Sequence, residues 1–178
     1  TFIGGKGNDT IIGSSADDRV FWTDGDGSDS VDGMDGEDNF EISTSELKDQ
    51  IHIGASGNRF FVNRQNLTPV VLDIGTVEVL VLDTIDGNDE VTISDLSTVD
   101  GMSLLRGNGG DDNDMLDLAG FQAGTIDLIP DGGSGDDTII GSAGNADGDG
   151  TADEFRLESN EISFLVEVEA TQLIVNGL

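Results

Sequence analysis

Short runs along the chain alternate apolar and polar residues and are separated by clusters of glycine and aspartate. Ile51-His52-Ile53, Phe60-Phe61-Val62, Val70-Val71-Leu72 and Val77-Glu78-Val79-Leu80-Val81-Leu82 are the strongest cases. A period of two places successive side chains on opposite faces of an extended segment, so these runs predict β-strands. Gly101-Met102-Ser103-Leu104-Leu105 and Thr125-Ile126-Asp127-Leu128-Ile129 predict two more. Elsewhere an apolar residue sits two positions after an aspartate: Ile11, Val20, Val31, Phe40, Val91, Leu116 and Ile139 follow Asp9, Asp18, Asp29, Asp38, Asp89, Asp114 and Asp137. Each is expected to point inward as a strand begins. Helical patterning is nearly absent; Ser43-Thr44-Ser45-Glu46 has the spacing of a capping box and accounts for one short turn over residues 43–50.

The same positions reveal internal repetition. Gly4-Gly5-Lys6-Gly7-Asn8-Asp9-Thr10-Ile11-Ile12-Gly13 and Gly132-Gly133-Ser134-Gly135-Asp136-Asp137-Thr138-Ile139-Ile140-Gly141 agree almost letter for letter. Looser copies surround Asp18, Asp29, Asp38, Asp89, Asp114 and Asp153. Asp9, Asp18, Asp29 and Asp38 lie close enough for one strand and one turn per unit. The wider gaps between Asp89, Asp114 and Asp137 imply a longer rung with one turn of the motif type and one of another kind. The expected domain is therefore a single elongated unit over residues 1–178. It has short-rung turns in 1–42, motif-free strands in 43–82, longer rungs in 83–141, and an acidic loop with terminal strands in 142–178. Leu173-Ile174-Val175-Asn176 echoes Leu80-Val81-Leu82-Asp83. Joining the C-terminal residues to Thr1 would then reproduce the order strand, acidic turn, motif, as in a tile of a tandem array or end-to-end assembly.

Composition narrows the function. The 178 residues include 37 acidic and 7 basic side chains, a formal net charge of −30, 26 glycines, 2 prolines and no cysteine. Such a charge repels nucleic acid and anionic lipid and attracts cations, so neither nucleic-acid binding nor membrane insertion is expected. No apolar run approaches the length of a membrane span, and disulfides and thiolate metal sites are excluded. With no initiator Met or signal-like segment, the chain reads as a mature product or an excised piece. Each rung is expected to bury only one or two apolar residues, too few to offset the ordering of its backbone without another source of cohesion.

The glycine and aspartate turns suggest that source. Closely spaced glycines let the backbone curl until several carbonyl oxygens face one point, and an aspartate beside them adds charge. An all-oxygen flexible cage suits Ca²⁺, with 6–8 ligands at about 2.3–2.6 Å, better than the strict octahedron of Mg²⁺. Softer metals lack their preferred ligands in a chain with one histidine.

These turns resemble the haemolysin-type calcium-binding repeats of RTX proteins, whose nonapeptide is Gly-Gly-x-Gly-x-Asp-x-apolar-x. Residues 4–12 and 132–140 match at every fixed position, and residues 109–117 depart only by Asp112 in the third glycine slot. The resemblance implies an all-β, parallel β-roll or β-helix (a β-solenoid) with several Ca²⁺ ions. The implied ligands are Gly5, Gly7, Asp9, Asp18, Gly27, Asp29, Gly36, Asp38, Gly87, Asp89, Gly110, Asp112, Asp114, Gly133, Gly135 and Asp137. Asp153 follows by the same motif, although Thr151 occupies its glycine slot, as Ala16 does for Asp18. Residues 43–81 and 155–178 leave the consensus, which favours an irregular β-helix. The Asp-Gly alternation at Asp147, Asp149 and Asp153 also resembles the first half of an EF-hand loop, but the twelfth position from Asn145 is Arg156 and not Glu.

No catalytic arrangement competes with this reading. His52 is the only histidine and is expected to face outward between Ile51 and Ile53. Arg59, Arg64 and Arg106 are the bases a β-helical polysaccharide lyase could use, and their surroundings do not single them out. A threonine ladder for ice binding is absent, since the position after each aspartate varies from Thr10 to Arg19, Ser30, Asn39, Glu90 and Met115. The expectation is a non-enzymatic, calcium-dependent structural or adhesive module, secreted or held at a bacterial cell surface. Its expected partners are neighbouring repeats, further copies, or surface or matrix polysaccharide. The alternative is a non-catalytic RTX module, or β-helical part, of a secreted calcium-dependent enzyme acting on polysaccharide.

Overall fold

The structure, a computed structural model, describes residues 1–121 and 126–140 together with the strands Arg156–Leu157 and Ile174–Val175. Among the described residues there is no helix. The strands are β1 (Phe2–Ile3), β2 (Thr10–Ser14), β3 (Arg19–Thr23), β4 (Ser30–Met34), β5 (Asn39–Ser43), β6 (Gln50–Ser56), β7 (Arg59–Arg64) and β8 (Val70–Gly75). They continue with β9 (Val79–Asp83), β10 (Glu90–Ile93), β11 (Leu104–Asn108), β12 (Met115–Asp117), β13 (Asp127–Asp131), β14 (Thr138–Ile140), β15 (Arg156–Leu157) and β16 (Ile174–Val175).

Two eight-stranded, largely parallel sheets result, stacked as in a β-roll. The first runs β1-β3-β5-β9-β11-β13-β15-β16 and is parallel throughout; the second runs β14-β12-β10-β6-β7-β8-β4-β2. The chain passes from one sheet to the other at nearly every step. The aspartates spaced 9–11 residues apart therefore mark alternate sheets, and the full repeat between paired strands is 20 residues, as between Asp9 and Asp29. Further along, the repeat is 25 and then 23 residues. In that region one connection carries an aspartate turn and the other is of a different kind, as the spacing implies.

Register follows the apolar positions. Val20, Phe40, Leu80, Leu105 and Leu128 stack across the first sheet, and Ile51, Val91, Leu116 and Ile139 across the second. Their side chains join in one continuous buried cluster. The core is thus larger than one or two residues per rung suggests, because both sheets contribute to every coil and residues 51–74 add a dense block. His52 lies between buried Ile51 and Ile53 on the opposite face, where its Nε2 meets Ser94 Oγ at 2.8 Å.

The principal departure from a regular parallel stack is a meander. β6, β7 and β8 pair antiparallel, so that β8 joins β4 and β6 joins β10. Gly57, with φ of 69°, occupies the two-residue loop between β6 and β7, where hairpins demand a left-handed residue. Between β3 and β9 the first sheet has one strand, whereas between β4 and β10 the second has three. The second sheet is therefore wider at this level by two strand spacings, about 10 Å. Residues 43–50 form no helical turn: the Ser45 hydroxyl accepts the Leu47 N–H at 3.2 Å and donates to Asp49, holding a tight bend. The strands expected over 101–105 and 125–129 start later, at Leu104 and Asp127. Met102 and Ile126, just before those strands, are buried.

Phe40 is fully buried and stacks between Val20 and Leu80. Truncation to alanine is expected to cost about 3–5 kcal/mol, read as a lowered urea midpoint, whereas Ile12→Ser at a 62% exposed edge position should change it by less than about 0.5 kcal/mol.

Candidate cation-binding turns

Among the described residues, eight turns bring an aspartate to the start of a strand: residues 4–9, 13–18, 24–29, 33–38, 44–49, 84–89, 109–114 and 132–137. They form columns, because strands pair in register. In each column the aspartate N–H of one turn donates to Oδ1 of the aspartate in the next. Asp49 donates to Asp89 at 2.7 Å, Asp89 to Asp114 at 2.8 Å and Asp114 to Asp137 at 2.8 Å. Asp9 donates to Asp29 at 2.8 Å. On the other side Asp18 donates to Asp38 at 2.8 Å, and Asp38 to Glu78 Oε2 at 2.7 Å. Asparagine in the preceding position adds a second ladder, with the Ser28 N–H on Asn8 Oδ1 and the Asp136 N–H on Asn113 Oδ1.

The second carboxylate oxygen divides the turns into two kinds. Oδ2 of Asp9, Asp38, Asp89, Asp114 and Asp137 is buried without a hydrogen-bond partner. All five turns are left-handed at the fourth and second residues before the aspartate: Gly5 and Gly7, Met34 and Gly36, Ile85 and Gly87, Gly110 and Asp112, Gly133 and Gly135. In the 13–18 and 44–49 turns neither position is left-handed, and a serine satisfies the oxygen instead. The Ser14 N–H and hydroxyl reach Asp18 Oδ2 at 2.9 Å each; the Ser45 N–H and hydroxyl reach Asp49 Oδ2 at 3.1 and 2.9 Å. The 24–29 turn stands between the two, with Gly25 left-handed, Gly27 not, and no orphaned oxygen on Asp29.

The orphaned oxygens are costly where they stand, since an anionic carboxylate buried without full pairing loses hydration. Burial pushes the Asp29, Asp38 and Asp137 carboxyls above their ordinary range, that of Asp89 to about 6 and that of Asp114 to about 7. Nearby carboxylates push in the same direction. At Asp89 the Asp49 N–H and the Thr84 hydroxyl oppose the shift without cancelling it, and that hydroxyl also lies 2.6 Å from the Gly109 carbonyl.

In two of these turns a backbone oxygen lies beside the orphaned one. A Cβ on Gly109 would lie 2.4 Å from Gly132 O and 2.5 Å from Asp114 Oδ2; one on Gly33 would lie 2.1 Å from Thr76 O and 2.2 Å from Asp38 Oδ2. Only glycine fits there. Among the described residues no three His, Asp or Glu side chains gather at one point. The available donors are thus one carboxylate oxygen per turn with carbonyls of adjacent turns. That set is hard, anionic and lacks nitrogen or sulfur, and it fits a hard divalent cation.

The structure places all of the glycines and aspartates expected as ligands from Gly5 to Asp137 in these turns. Asp147, Asp149 and Asp153 lie outside the described residues. Asp112 supplies a left-handed backbone with φ of 80°, in the slot where the nonapeptide has glycine. Asp49 and Glu78 continue the columns although neither was singled out beforehand. Asp49 carried a usable signal, an apolar Ile51 two positions on, but residues 44–48 contain no glycine to draw attention to it. Comparison of the chain with known protein families, curated proteins and solved structures returned no match.

A carboxyl whose folded pKa exceeds its unfolded value stabilises the fold below the unfolded value, and that contribution is lost as pH rises through the folded value. In the presence of a chelator the urea midpoint should therefore fall between about pH 4 and pH 7. A midpoint that rises across this window would contradict the burial of ionisable Asp89 and Asp114.

Proposed function

We propose that the chain is a calcium-dependent structural or adhesive module of the extracellular space, a β-solenoid of the RTX type. Its folding is completed by Ca²⁺ held between neighbouring turns, with Asp9, Asp38, Asp89, Asp114 and Asp137 as the carboxylate ligands. The observation that carries this reading is the buried, unpartnered Oδ2 in each of those five turns. A divalent ion would offset the lost hydration and the repulsion along each column at once. The preference for calcium over magnesium rests on the donor set, backbone carbonyls and single carboxylates on bent loops.

The charge of −30 supports coupled folding and binding. In a calcium-poor cytosol, self-repulsion keeps the chain expanded and exportable; outside, extracellular modules bind at about 10⁻⁴–10⁻³ M and fold. The module acts at a bacterial surface or in a matrix and does not turn over a substrate; among the described residues His52 is occupied by Ser94. The strands β1 and β2 end the two sheets, with Ile3 71% exposed, and such edges favour end-to-end addition of further repeats or copies. Surface or matrix polysaccharide is the remaining partner in this reading.

Chelation should abolish most of the β-sheet circular dichroism, and Ca²⁺ but not Mg²⁺ should restore it; a spectrum indifferent to both would refute the proposal. Asp114→Asn separates the ligand from the fold. Removing its charge should raise the urea midpoint in chelator and shrink the calcium-induced gain, two effects of opposite sign that a purely structural aspartate would not give.

A further inference from the structure

The column of turns facing the second sheet is broken at one level. Asp9 is bonded to Asp29, and Asp49 to Asp89, but no aspartate N–H joins 29 to 49, because β7 and β8 stand between β4 and β6. A side chain from the inserted meander fills the break. Arg64, the last residue of β7, is buried, with 5% of its side chain exposed. Its Nη1 lies 2.5 Å from Asp24 Oδ1, in the turn above the break, and 3.6 Å from Asp49 Oδ1, in the turn below. Nε and Nη2 donate to the Thr68 carbonyl at 3.3 and 3.2 Å, and the guanidinium lies over the Trp22 ring, 5.6 Å from its centre. Trp22 in turn donates its indole N–H to Gly27 O at 2.9 Å, in the same upper turn.

We infer that Arg64 is a cation built into the chain at a level where the other turns take a metal ion, so that the meander and the turns it joins hold together without one. Three features support this. The 44–49 turn has its Oδ2 satisfied by Ser45, while its Oδ1, buried with no hydrogen-bond partner, faces the fixed positive charge of Arg64 Nη1 at 3.6 Å in place of an ion. Asp29 lacks the orphaned oxygen of the five cation turns. The meander itself consists of local antiparallel pairings, and buried Ile53, Phe60, Val62, Leu72 and Ile74 give it a core of its own. Local contacts form at low loop-closure cost, so this block is the natural seed onto which the ion-dependent turns on both sides are added. A guanidinium suits the position better than an ammonium, since its planar fork serves two carboxylates and a carbonyl while its face lies on an aromatic ring.

This inference rests on the cation reading of the other turns, and amide hydrogen exchange tests the two separately. In chelator, the wild-type chain should retain protection in β6, β7 and β8 and lose it in β10, β12 and β14; uniform exchange over all six strands would overturn the inference. Failure of calcium to protect β10, β12 and β14 would instead defeat the cation reading. Arg64→Met, which keeps the bulk and removes the charge, should accelerate exchange of the meander in chelator at least tenfold. Adding Asp24→Asn and Asp49→Asn to that variant should restore the protection, because no buried charge is then left unpaired. An Arg64→Met meander as protected as wild type, or a triple variant as unprotected as Arg64→Met, would show that the guanidinium is not the counter-ion.

Discussion

Carboxylates repeated along a parallel stack sit one above another, and this constrains the rest of the molecule. Strand pairing fixes the interval at about 4.8 Å. At an effective dielectric near 20, two unit charges at that spacing repel by about 3 kcal/mol. Asp49, Asp89, Asp114 and Asp137 form such a series, each offering one oxygen to the N–H of the turn before it. Those hydrogen bonds set the register of the turns and favour the ionised form. They do not neutralise it, and the second oxygen remains to be dealt with.

The chain deals with that oxygen in different ways. Serine four residues upstream donates twice and closes the 13–18 and 44–49 turns from within. Elsewhere left-handed residues occur at two positions of the turn and no donor reaches the oxygen, while in the 33–38 and 109–114 turns a neighbouring carbonyl lies close to it. Keeping Met34 and Ile85 left-handed, where glycine would be unstrained, shows that the surrounding structure enforces this backbone. A cation makes chemical sense of a turn that gathers oxygens in this way. At the interrupted level Arg64 brings positive charge on the chain itself.

Much of the stack was legible because its logic is local. An apolar residue two positions after an aspartate marks where a strand turns inward, and the spacing of aspartates distinguishes coils with two such turns from coils with one. The meander was not legible, since Phe60-Phe61-Val62 and Val70-Val71-Leu72 alternate alike whether their neighbours run parallel or antiparallel; pairing partners are set by distant residues. The same gap hid Arg64, whose burial depends on the meander bringing Asp24 and Asp49 to its two sides. Asp49 was hidden because serine replaces glycine in its turn, the same change that gives its Oδ2 two donors.

The central claim is that the five left-handed turns hold ions and the serine-closed turns do not. Anomalous scattering from crystals grown in calcium, collected at long wavelength, tests it most directly. The account predicts anomalous peaks within bonding distance of Oδ2 of Asp9, Asp38, Asp89, Asp114 and Asp137, and none beside Asp18 or Asp49. Peaks distributed without regard to that division, or five left-handed turns containing only water, would contradict it.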